Sequence, residues 1–132
     1  MLWRESKESE RAKIFSGLEQ VLTKLASQFN RAENPDSHAQ ERFAKSAVPL
    51  IEGWIRDHQF AVKSSLPALL DYPSGIHEMY CRNQVSGNDQ FGIFAHVWCP
   101  GGETRIHDHG GFLGITVPLT AGMAEDQFQR IY

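Results

Sequence analysis

The segment best equipped for chemistry is Ile106-His107-Asp108-His109. It lies in a stretch with strand character, where successive side chains alternate between faces. His107 and His109 therefore project to one face and Asp108 to the other. Two imidazoles about one strand repeat apart suit two adjacent coordination positions of a first-row transition metal. The plainer reading is a pair of polar residues on a solvated strand. The surroundings favour the metal: a glycine turn at Pro100–Glu103 precedes the pair, apolar strands flank it, and Gly110-Gly111 follows.

The elements that must position this segment fall into two halves of different periodicity. From about Ser9 to Arg31, apolar residues recur at Ile14, Leu18, Val21/Leu22, Leu25 and Phe29, one stripe of an amphipathic helix. Pro35 ends it, and Ser37 with Gln40 makes a capping-box start for a second helix. Its stripe runs through Phe43, Ala47, Leu50/Ile51, Trp54 and Ile55, with Pro49 expected to kink or divide it. Ser64–Gly75, with two prolines and a glycine, reads as a short helical turn and a boundary near Pro73.

Beyond Pro73, Met79–Val85, Gln90–Trp98, Thr104–His109 and Phe112–Leu119 read as short strands. Ser86–Asp89 is the hairpin turn between the first two, and Gln127–Tyr132 begins a further strand. The expected fold class is α+β: a helical region over 1–72, then antiparallel strands over 73–132. A sheet that ends on a newly started strand leaves backbone groups unpaired. The expectation is a fragment of a longer protein, the alternative being self-association across the open edge.

Composition narrows the function classes. The 132 residues are 41% hydrophobic and carry a net charge of −3 with both signs interspersed. This disfavours nucleic acid as a partner. No apolar run reaches membrane-spanning length, and the start MLWRESKESERAK lacks a signal-peptide core. Two cysteines, Cys81 and Cys99, make no disulfide framework and read as reduced thiols of a cytoplasmic protein.

Gly101, five residues, His107, one residue and His109 match the first half of the first cupin motif, with Gly122 near its closing glycine. Where cupins usually carry a glutamate ligand, this chain has Leu113 and Gly114. A cupin with paired histidines and no glutamate resembles the thiol dioxygenases, which use three histidines. The order Tyr80-Cys81-Arg82-Asn83, Ser86–Asp89, Phe91–Trp98, Pro100–Gly102 and Ile106–His109 is similar to the cysteine dioxygenase family over about residues 72–125. The resemblance implies the N-terminal part of a cupin-type antiparallel β-barrel (jelly roll) behind N-terminal helices.

It also implies an activity. An Fe(2+)-dependent oxidoreductase would oxidise a small carboxylate-bearing thiol, cysteine or 3-mercaptopropionate, to a sulfinic acid with O2. His107 and His109 then correspond to iron ligands and Arg82 to the arginine that holds the substrate carboxylate. A guanidinium suits that task because its fixed fork of donors matches a planar carboxylate. A surface salt bridge is the alternative for Arg82. Tyr80 shares its parity and either supports it or is a core aromatic.

His96 shares parity with Phe94 and Trp98, where the family has an apolar pocket residue. It reads as a buried histidine bonded to backbone, a pocket residue contacting substrate or oxygen, or a replacement metal ligand. Cys81, on the opposite face, and Cys99, at the turn, read as packing thiols. Gly114 stands where some members carry a cross-linked cysteine, so that cross-link is not expected. No histidine follows His109, so the third ligand is missing from the sequence. A non-catalytic cupin-like binding or structural module, lacking a complete metal site, is the alternative function.

Overall fold

A computed structural model of the chain describes residues 2–29, 37–103 and 114–119. Its first element, α1, spans Leu2–Phe29. It begins well before Ser9 because the polar opening, rich in Glu, Lys and Arg, consists of good helix formers. Its buried stripe is Arg11, Phe15, Leu18, Leu22 and Ala26, with Ile14 and Leu25 packed at its margin. The expected stripe is thus rotated slightly: Val21 is left 41% exposed, and Arg11 and Phe15 take inner positions. The side chain of Phe29 and the capping pair Ser37 and Gln40 lie outside the described side chains.

The second helix, α2, spans Ser37–Asp57. Pro49 does not divide it. A proline inside a helix removes a backbone donor and crowds the preceding turn, costing ~3 kcal/mol. Burial on both sides of the proline offsets this: Ala47 is fully enclosed, Trp54 is buried, and Phe43, Ile51 and Ile55 pack around them. The Trp54 indole stacks on Phe15 at 5.1 Å and on His58 at 4.4 Å between ring centroids. A π-helical turn (Ala61–Ser65) and a 3-10 turn (Leu66–Leu69) follow, and their Val62 and Leu66 close the core between the two helices.

An irregular segment leads to an antiparallel hairpin of β1 (Tyr80–Gly87) and β2 (Gly92–Trp98). Tyr80 pairs with Trp98, Arg82 with His96 and Gln84 with Phe94. The register then shifts between Gln84 and Ser86, so Val85 is the extra residue of a β-bulge. The bulge makes Val85 and Ser86 consecutive buried residues and carries β1 on to Gly87. The turn therefore lies at 88–91, two residues beyond the expected Ser86–Asp89. Asn88 forms it: its Oδ1 accepts from the Gln90 amide at 2.8 Å and the Phe91 amide at 3.3 Å.

The hairpin is fixed to α1 by polar bonds as well as by Val85. The Ser86 hydroxyl donates to Glu19 Oε2 at 2.7 Å, and Asn88 Nδ2 donates to Thr23 Oγ1 at 2.9 Å. Asn83, only 3% exposed, pairs with the backbone of Asp71 in both directions. Its Nδ2 donates to the Asp71 carbonyl at 3.0 Å, and its Oδ1 accepts from the Asp71 amide at 2.7 Å. Buried Arg11 joins the same point from α1, donating to the Leu69 carbonyl and lying 3.6 Å from the Asp71 carboxylate.

The fold of the described residues is α+β, with two helices, two short helical turns and a two-stranded sheet that does not close. Gly114–Leu119 makes no strand, contrary to expectation for the end of Phe112–Leu119. Pro118 has no amide to donate, and the segment is held by Ile115 packing on the core. Thr104–His109 and Gln127–Tyr132, also expected as strands, lie outside the described residues. No described helix is long and apolar enough to cross a membrane.

Candidate functional site

The hairpin alternates strictly upstream of its bulge, and the alternation sorts its chemistry. Asn83 and Val85, with Ile93 and Ala95, face the helical layer and the core. Tyr80 and Arg82 of β1, with Phe94, His96 and Trp98 of β2, take the opposite parity and share the outer face. The candidate residues Tyr80, Arg82 and His96 are thus brought together, and Cys81 is on the far side from Arg82 as its parity requires.

Arg82 has no ion pair among the described residues; its guanidinium carbon lies 3.8 Å from the centroid of the Phe94 ring. This cation–π contact fixes the charged group over an apolar surface. The Phe94 ring sits so near Gly92 that a Cβ there would meet it at 2.6 Å. Tyr80 and Trp98 stack directly across the strands, 4.7 Å between centroids and 18° between planes. His96, paired with Arg82 across the strands, has its ring 6.0 Å from that of Tyr80 and 6.3 Å from that of Trp98.

His96 remains solvent-accessible, yet the surrounding rings remove part of its hydration. That desolvation lowers its pKa, and the positive charge of Arg82 lowers it further. Neither ring nitrogen has a hydrogen-bond partner among the described residues. The readings of His96 as a buried, backbone-bonded residue and of Arg82 as a surface salt bridge therefore do not describe what is seen. The Trp98 indole nitrogen is also buried without a partner among the described residues.

The cysteines sit behind this face. Met79 extends the ladder by accepting from the Cys99 amide at 2.8 Å, so Cys81 and Cys99 share a parity. Cys81 Sγ is 3.7 Å from Glu78 Oε1. Desolvation and the Glu78 carboxylate raise the Cys81 pKa, which suppresses its thiolate.

His107 and His109 lie outside the described residues, and so do Leu113 and Gly122. Gly114 is described and carries no side chain that could cross-link. Among the described residues no group of three or more His, Cys, Asp or Glu could hold a metal ion. Neutral imidazoles as a class suit zinc, copper, iron and nickel alike.

Phe94 is the contributor that pattern reading left without a role. The signal was present as Phe94-x-His96-x-Trp98, an aromatic ring at three successive outward positions of one strand. Comparison of the chain with family models, with curated proteins and with solved structures gives no match.

Proposed function

We propose that this chain is a cupin-type, iron-dependent thiol dioxygenase-like protein acting on a small carboxylate-bearing thiol. The observation that carries the reading is an arginine without an ion pair among the described residues, set over Phe94 and directly opposite His96 on an outer sheet face walled by Tyr80 and Trp98. A planar carboxylate is the partner that a guanidinium in this setting recognises best, through parallel charge-assisted hydrogen bonds. The stacked rings exclude water from one side of such a ligand and strengthen those bonds. Arg82 would orient the substrate, and Tyr80, from the same face, would keep it packed there.

His107 and His109 would hold the iron, which when bound supplies Lewis acidity and electron transfer to O2. The overall change is balanced: a thiol and one O2 give a sulfinic acid, both oxygen atoms ending on sulfur.

The test is anaerobic titration with ferrous iron, followed by oxygen uptake with cysteine and with 3-mercaptopropionate and mass identification of the sulfinate. Iron binding is expected to disappear in the His107→Ala/His109→Ala double variant, and turnover to disappear in Arg82→Ala. Iron affinity that is absent, or indifferent to both histidines, would sink the reading and favour a non-catalytic binding module.

A further inference from the structure

The outer face of the hairpin offers a second nitrogen group beside Arg82, and resemblance assigns it nothing. We infer that His96 is a second, protonation-dependent anchor for the carboxylate that Arg82 holds, making ligand affinity on this face a function of pH. The inference rests on the carboxylate reading of Arg82 and deepens it.

Directly opposed residues of antiparallel strands hold their Cβ atoms about 4.5–5.5 Å apart, and Arg82 and His96 are such a pair. Two side chains at that spacing on one face can reach the two oxygens of a single carboxylate. Both have their nitrogen donors without partners among the described residues. The outer face offers no carboxylate of its own on either strand: the other outward residues of the hairpin are Tyr80, Gln84, Phe94 and Trp98. Neither strand thus supplies a carboxylate that would compete with a ligand's for these donors.

Within the hairpin, the charged and titratable groups that share this face with His96 are Arg82 and Tyr80, and among the described residues Arg82 is the charge that acts on it. Alone, Arg82 disfavours imidazolium; a bound carboxylate between the two removes that repulsion and adds an attraction. Protonation of His96 and anion binding thus favour each other. The linkage is reciprocal. A ligand bearing an ammonium beside its carboxylate gains least, because it returns a positive charge to the same place. A simple thiol acid gains most.

Metal-free protein and 3-mercaptopropionate, followed by NMR of the histidine rings, give the test without turnover. Affinity is expected to be tighter at about pH 5.5 than at about pH 8, by up to about fivefold for a solvent-accessible pair. The His96 ring should titrate at higher pH when ligand is present. His96→Asn, an exposed change that keeps the size of the side chain, should show the high-pH affinity at both pH values, and Arg82→Ala should bind at neither. Binding that is equal at both pH values, or a pH dependence that survives in His96→Asn, overturns the inference while leaving the Arg82 anchor standing. No binding by the unaltered protein overturns both. PH-dependent binding without sulfinate formation keeps this inference and removes the dioxygenase activity instead.

Discussion

On the side of the hairpin that meets the helical layer, polar side chains have their bonds satisfied within the protein. Asn83 is matched to the Asp71 backbone, Ser86 to Glu19, and Asn88 to Thr23. On the other side, Arg82 and His96 have no hydrogen-bond or ion-pair partner among the described residues, and aromatic rings stand around them. The same two strands thus carry two opposite solutions to the placement of polar groups. The inner one uses them to fix register and docking, and the outer one leaves donors available. Only the second matches the binding surface proposed above, and the contrast yields measurable differences between substitutions one residue apart.

The largest effect is expected in the layer that the inner face joins. Leu66→Ala removes a side chain only 2% exposed and should cost about 2–5 kcal/mol in chemical denaturation. Asn83→Ala leaves the Asp71 amide and carbonyl without their partners and should cost about 2–3 kcal/mol. Its neighbour Arg82, changed to Ala, should alter stability by less than about 1 kcal/mol while abolishing carboxylate binding. Equal destabilisation by Asn83→Ala and Arg82→Ala would erase the distinction between the faces. In α2, which lies away from both, Pro49→Ala should stabilise by about 1–2 kcal/mol, since the helix already runs through that position.

The smallest effect is the dependence of stability on His96. Its folded pKa is lowered, so the folded state binds fewer protons than the unfolded chain as pH falls below the ordinary histidine range. Stability contributed by neutral His96 is present above about pH 6.5 and is lost as pH falls through the folded pKa. Urea unfolding of the unaltered chain should weaken slightly more between neutral and mildly acid pH than that of His96→Asn. A steeper loss in the variant would reverse the sign and contradict the environment described for His96.

Much of this arrangement was legible in the sequence because it depends on period. Three- and four-residue spacing gave both helices, and two-residue spacing put Tyr80, Arg82, His96 and Trp98 on one face. What escaped was aperiodic. A bulge at Val85 is one residue inserted into the count, and nothing in its type announces it. Pro49 was read by its local cost, whereas burial of Ala47 and Trp54 decides the outcome. Arg11 lies on the inner stripe of α1 although its charge argues for exposure; its burial depends on Leu69 and Asp71, distant in sequence. Phe94 was visible as an aromatic, but its contact with Arg82 follows from side-chain direction, not from strand parity.

Gly92 extends this lesson to a residue with no side chain at all. The Phe94 ring lies where a methyl group on residue 92 would stand. The height and tilt of the platform beneath the guanidinium are therefore set by an empty volume two positions away. Alanine at 92 would lift the ring and re-aim the charge above it, with Arg82, Phe94 and His96 all unchanged. Variation at that glycine is thus a means of retuning the proposed ligand preference in which Arg82, Phe94 and His96 keep their identity.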